Sequence, residues 1–271
     1  MNTSIKQYAS FFRIRFSNGL QYRAAAYAGM TTQFAWGGLE ILMFSAFYRT
    51  NPAAFPMEFS HLASYIWLQQ ACLTLFMAWF ADGEIFDLIT SGNIAYELTR
   101  PVNLYALWFT KNVAVRLSKA LLRCFPILIV AALLPNPYGL SLPPDIGTVL
   151  MFIATSALGM FAVVAYGMLI YIACFYTLSG RGVRIVAFAM TEFLSGSLIP
   201  LPFFPDKIRV IFEHTPFGSM QNVPLRVFSG NLSGGEMWYF AGVQLFWVAA
   251  LVAIGHFWMK HALRRVVVQG G

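Results

Sequence analysis

Charge is scarce in this sequence. Only 11% of its 271 residues are charged and 58% are hydrophobic, where a soluble domain carries about 25% charged residues. With mean hydropathy at +0.63, an ordinary soluble fold is excluded, and the surplus apolar surface must face lipid. Cysteine is sparse too. Cys72, Cys124 and Cys174 all fall in apolar runs, at spacings that fit neither a zinc site nor a disulfide framework, and they read as small core residues. None of the five lysines has the Gly-x-x-x-x-Gly-Lys-[Ser/Thr] context of a phosphate-binding loop. His61, His214, His256 and His261 are scattered, without a His-Glu-x-x-His pair or clustered acids, and no Gly-x-Ser-x-Gly elbow occurs. No catalytic residue, no metal site and no cofactor bound by this chain are therefore expected. A cleavable signal peptide is not expected either. Lys6, Arg13 and Arg15 precede a span too long for one, and no small-residue cleavage site follows.

The long apolar runs carry the rest of the reading. About 20 mainly apolar residues cross a hydrocarbon core of roughly 30 Å, and the chain offers six such spans. They lie at about 24–48, 62–80, 115–134, 146–178, 183–198 and 237–259. Trp67 and Trp79 sit near the ends of the second as interfacial anchors. The third is entered late, because Leu104–Leu121 carries Lys111, Arg116 and Lys119 and belongs at or below the cytoplasmic interface. Before the first span, Tyr8, Phe11, Phe12 and Phe16 recur at helical spacing with Lys6, Ser10, Arg13 and Ser17 largely elsewhere. That describes a helix over about 4–18 lying in the interface.

The net charge of +7 does not point to nucleic acid, because most Lys and Arg sit at span ends beside anionic lipid. With the N-terminus inside, Lys6, Arg13, Arg15, Arg23, Arg100, Lys111, Arg116, Lys119, Arg123, Arg181, Arg184, Lys260, Arg264 and Arg265 fall on or near the cytoplasmic side. Arg49, Lys207, Arg209 and Arg226 fall outside. This asymmetry places both termini in the cytoplasm.

Two polar interruptions stand out. In the first, Asp82–Pro101, a short helix with Ile85, Phe86 and Ile89 on one side should stop at Ser91-Gly92, and Pro101 bars a helix through Arg100. Such a helix serves either as a knob for a cytosolic partner's groove or as an interfacial helix resting on lipid. The second, Ile199–Gly235, is broken by proline and glycine. Asp206 is placed to cap a helix over 207–214, a second helix runs over 220–228, and Ser233–Glu236 fits a capping box that opens the last span. Broken helices at membrane depth persist only inside protein or along a cavity, so these are expected as re-entrant pieces near the outer leaflet.

The layout resembles a permease of the type 2 ATP-binding-cassette (ABC-2) exporter superfamily, closest to a bacterial subfamily that pairs two different permeases with one ATPase. Ser91-Gly92-Asn93-Ile94 through Leu98-Thr99-Arg100-Pro101 carries the first part of the likeness. Ser195-Gly196 through Ile199-Pro200-Leu201-Pro202-Phe203-Phe204-Pro205, Thr215-Pro216-Phe217 and Phe228-Ser229-Gly230 carry the second. The resemblance covers essentially the whole chain. It implies a single all-α, polytopic transmembrane permease domain over 1–271 in the bacterial inner membrane, with an N-terminal elbow helix. It also implies a coupling helix that docks on a dimeric cytosolic ATPase, which supplies ATP and magnesium. The coupling residues so implied are Glu84, Ile85, Phe86, Asp87, Ile89, Gly92, Arg100 and Pro101. A second, different permease and membrane lipids are the other implied partners. Export of an amphipathic, lipid-like or cationic drug-like molecule, viologens among them, is the implied activity.

Two acids fall inside spans. Glu40 shares a stripe with Gly29, Gln33 and Gly37, and Glu192 shares one with Ser195 and Gly196. A charge at mid-bilayer costs at least about 2.5–3.5 kcal/mol, so both should face protein or water. Either they attract a cation along a substrate path with Gln33, Ser195 and Pro200, or they are hydrogen-bonded acids that fix helix packing. The stripe Lys111, Arg116, Lys119 and Arg123 reads as a snorkelling face or a lipid-phosphate site. A proton-coupled secondary transporter titrating Glu40 or Glu192 is the alternative, though no internal repeat of the kind such folds use is found. A lipid-modifying enzyme is disfavoured by the missing catalytic cluster.

Overall fold

A computed structural model describes residues 3–21, 23–177 and 180–264. The expected turn at Ser179 and the terminal Arg265 lie outside the described residues. The described residues are helical, with no strand among them. Among the described residues twelve α-helices are formed. They are α1 (Thr3–Gln21), α2 (Arg23–Thr50), α3 (Phe59–Ala71), α4 (Leu73–Phe76), α5 (Gly83–Thr90), α6 (Ile94–Leu98), α7 (Leu104–Leu133), α8 (Ile146–Ala173), α9 (Gly180–Leu194), α10 (Asp206–Glu213), α11 (Asn222–Phe228) and α12 (Gly235–Leu263).

Among the described residues, two helical segments are long and apolar enough to cross a bilayer by length and composition, Ile146–Tyr176 and Gly235–Leu263. In the most apolar window of the first 67% is buried, against 17% in the second, so α8 is the central helix and α12 an outer one. Helix α2 is as long but carries Thr31, Thr32, Gln33 and Glu40, and α7 carries Lys111, Arg116, Lys119 and Arg123. The 13 residues of α3 and 15 of α9, at 1.5 Å each, reach only roughly 20 Å.

Helix α1 extends the expected interfacial helix at its C-terminal end. Tyr8, Phe11, Phe12 and Phe16 are all half-buried while Lys6, Arg13 and Ser17 are exposed, as the spacing predicts. The apolar face rests on protein, however. Phe12 packs with Val113, Met160 and Val164, the Asn103 amide donates to Tyr8 Oη at 3.0 Å, and Gly19 closes on Ser118.

The second span differs from its expected continuous run over 62–80. It breaks after Ala71 into α4 and a 3-10 turn over Ala78–Phe80, with Met77 extended between them. No proline or glycine lies in this stretch. The break is held from α7, where Arg116 Nη1 donates to the carbonyls of Thr74 (3.0 Å), Leu75 (3.3 Å) and Met77 (2.9 Å). This corrects the reading of the basic stripe as a snorkelling face, since Arg116 and Lys111 point inward and are 3% and 6% exposed.

Between α9 and α12 the chain is broken as expected, but two caps differ. Helix α10 starts at Asp206 with Pro205 as its cap, and Asp206 instead pairs with Arg209 at 3.0 Å. Gly234, at φ +57°, caps α12 in place of a Ser233 capping box. Protein surrounds the α11 part of this segment, while α10 leaves Ile208, Val210 and Ile211 exposed. Val223, Leu225 and Val227 are buried, and Gln244 Nε2 donates to the carbonyls of Thr155 (3.1 Å) and Ser219 (2.8 Å). A methyl group on Gly159 would sit 2.0 Å from the Met220 carbonyl oxygen. Gly159→Ala is therefore expected to force α8 and this segment apart and to cost about 1–3 kcal/mol. A thermal melt of the purified variant measures it, and a wild-type melting point would refute the contact.

Candidate functional site

The first feature is the segment from Asp82 to Pro101. Asp82 caps α5 through a 2.9 Å bond from the Glu84 amide, and α5 stops at Ser91 with Gly92 at φ +76°, a conformation glycine takes without strain. Ile85 and Phe86 are 0% and 3% exposed. They pack in a cluster with Trp108, Tyr171 and Met259, and the Arg184 guanidinium lies 4.2 Å over the Phe86 ring. This corrects the expectation that they form a docking knob, because the apolar face of α5 is already covered by α7, α8 and α9. Ile89 is half-buried in the same cluster. The exposed face of the segment carries Glu84, Asp87, Ser91, Tyr96 and Arg100, with Pro101 exposed beside them. Arg100 pairs with Glu97 at 3.4 Å.

Helix α5 is tied to α7 by charge. Lys111 Nζ lies 2.8 Å from Asp82 Oδ2 and 2.6 Å from Glu84 Oε2. The Asp82 amide donates to Tyr171 Oη at 2.6 Å, and that hydroxyl donates to Asn112 Oδ1 at 3.1 Å. The hydrogen bond and charge of Lys111, with Arg15 adding a smaller share, hold the Glu84 carboxyl below its ordinary value. A depressed carboxyl contributes stability above its unfolded value and loses it as pH falls through the folded one. The α5 anchor is therefore expected to persist at neutral pH and to loosen only below the usual carboxylate range. Amide exchange over 82–92 at pH 7 and pH 3.5 reads this, and equal protection at both would contradict it.

The second feature is a cleft of about 670 Å³ among α2, α3, α7, α9 and the broken stretch 72–80. Gln33 and Glu40 of α2 and Glu192 of α9, predicted from separate stripes, line it together. Ser195 and Pro200 do not line it. Both are buried, Ser195 beside the Gly196 turn (φ +78°) that closes on Leu201, so their expected place on the path is corrected to packing. The remaining wall is aromatic and apolar, with Trp36, Trp79, Phe80, Leu39, Met43 and Met77. Trp36 is 63% and Trp79 46% exposed.

Gln33 Nε2 donates to the Gln70 carbonyl and Gln69 Nε2 to the Ser197 carbonyl, each at 2.8 Å. The Gln70 side chain is in hydrogen-bond reach of Glu40, and the Trp79 indole of Glu192. Arg123 also lines the cleft, 5.8 Å over the Phe80 ring and flat on Gly29.

Sequence reasoning missed Trp36, Gln69, Gln70, Trp79 and Arg123. Two adjacent glutamines inside an apolar run were a usable signal. Trp79 reads as an interfacial anchor until the break at 72–80 is known. Chemically, an aromatic wall with two carboxyl groups suits an amphipathic cation, through apolar burial, charge and cation–π contact.

The α5 anchor and the cleft share walls. Lys111, Arg116 and Arg123 all ride on α7, while Arg184 and Glu192 ride on α9. Displacement of α5 therefore bears on two helices that line the cleft.

A family model described as ABC-2 family transporter protein matches residues 34–270, well over half of the chain. No curated protein matches it.

Proposed function

We propose, because this chain belongs to the ABC-2 transporter family and is a membrane transport subunit rather than an enzyme, that it exports an amphipathic, cation-bearing molecule through the cleft between α2 and α9. A separate cytosolic ATPase drives it, and a second permease of the same family, a different chain, completes the path. In this reading the protein crosses the bacterial inner membrane six times with both termini inside. Helix α1 is the elbow in the cytoplasmic interface, α5–α6 faces the ATPase, and α10–α11 forms the outer re-entrant piece. The observation that carries the substrate class is the convergence of Glu40 and Glu192 with Trp36 and Trp79 on one cleft.

The docking face is the exposed one, Asp87, Ser91, Tyr96 and Arg100. Closure of the ATPase would push α5 as a unit, because Lys111 and Arg184 hold it to α7 and α9. The test is ATP-dependent accumulation of a fluorescent lipophilic cation in inside-out proteoliposomes holding the full complex. Glu40→Gln with Glu192→Gln is expected to cut the rate at least about tenfold while ATPase assembly is unchanged, tenfold corresponding to about 1.4 kcal/mol. Undiminished accumulation in the double variant would reject the cleft as the path.

A further inference from the structure

The floor of the cleft carries hydrogen-bond acceptors that the protein leaves without partners. Gln33 Oε1, Gln69 Oε1 and Glu40 Oε1 are buried and accept no hydrogen bond from any protein group. The orientation of both amides is set by chemistry, since their nitrogens face the backbone carbonyls of Gln70 and Ser197, which only accept. Each oxygen is thereby turned away from its helix partner. Gln33 and Gln69 are each 3% exposed, and a buried acceptor without a donor costs about 1–3 kcal/mol. Three such atoms, on two different helices, belong to residues that line one cleft.

An acceptor set of this kind selects for a donor. A primary ammonium or a guanidinium brings two or more N–H groups and can pair with these oxygens once the amide side chains turn toward it. A quaternary ammonium of the same charge brings none and is wider. Thr32, Gln70, Ser197 and Arg123 complete the polar lining. The charged head belongs with the polar lining residues Gln33, Glu40 and Gln69, and the apolar body against Trp36 and Trp79.

We infer that the molecule held in this cleft carries an N–H-donating cation, a primary amine or guanidine on an apolar body, and that the site discriminates against quaternary ammonium of equal charge. The inference rests on the cleft being the substrate path and narrows the substrate class within it. Glu40 supplies charge, which both kinds of cation satisfy. Gln33 and Gln69 supply the discrimination, which only the donor satisfies.

The test is binding of dodecylamine and of dodecyltrimethylammonium to the full chain in phosphatidylcholine nanodiscs, each corrected against empty nanodiscs for partition into lipid. Dodecylamine is expected to bind at least about tenfold more tightly. Gln33→Leu and Gln69→Leu are expected to shrink that ratio severalfold by weakening the amine alone. The ratio in the wild-type protein decides the matter even if either variant fails to fold. A ratio of one or below, with binding still abolished by Glu40→Gln with Glu192→Gln, overturns the inference and leaves the cleft as the path. Binding of both amphiphiles that ignores the double carboxyl variant removes the cleft reading itself.

Discussion

Replacing Arg116 by methionine is expected to be among the most damaging single changes in this chain. The guanidinium is buried and serves three backbone carbonyls at the break between α4 and the Ala78–Phe80 turn. Methionine fills the space but donates nothing, and each carbonyl left unpaired costs about 1–3 kcal/mol. Removing a buried charge returns part of this, leaving a net loss of about 3 kcal/mol. For a domain of this size that corresponds to a fall in melting temperature of about 6–12 °C. Since Met77, Trp79 and Phe80 line the cleft from this same stretch, the variant should also lose ligand binding. Arg116→Lys keeps a donor and the charge, but its shorter, more flexible stem does not hold the nitrogen where Nη1 sits, so it should recover only part. A variant with methionine that melts and binds as the wild type does would show that the break is held by something else.

The second large effect separates the two faces of α5–α6. Ile85→Asp places an unpaired charge in a cluster where Ile85 is 0% exposed. It should destabilise the permease itself by about 3 kcal/mol or more, whether or not an ATPase is present. Tyr96→Asp or Asp87→Lys alters residues that face outward, Tyr96 being 74% exposed. Those should leave the melt within about 0.5 kcal/mol of wild type while weakening ATPase association at least about tenfold. The opposite pattern, a stable Ile85→Asp protein that has lost its partner, would restore the apolar face as the docking surface.

The contrast shows where sequence reading reaches its limit. Apolar spacing at Ile85, Phe86 and Ile89 gives an amphipathic helix and Ser91-Gly92 gives its end, and both are present. That pattern does not say whether the apolar face meets a partner or the chain's own α7, α8 and α9, because burial against either satisfies it equally. The same holds for α1, whose aromatic face was legible and whose cover, α7, was not.

The break after Ala71 was illegible for a different reason. No proline or glycine marks it, and its cause is Arg116, some forty residues on. Glu40 and Glu192 were each visible as costly acids in apolar runs. That they share a cleft depends on α2 and α9 both facing it, which no local pattern encodes. Charge on α7 misled most, since a basic stripe near a membrane face usually snorkels, whereas here Lys111 answers Asp82 and Glu84. Those two acids lie within three residues of each other at the start of α5, the one hint that a lysine would be drawn inward.

The most direct test of the central claim is ATP hydrolysis by the cognate ATPase, reconstituted with this chain and its partner permease, with and without a lipophilic amine. The account predicts that the amine stimulates hydrolysis severalfold in the wild-type complex and that Glu40→Gln with Glu192→Gln removes the stimulation while basal hydrolysis and assembly persist. Amine movement by this chain alone, driven by a proton gradient with no ATPase present, would contradict it.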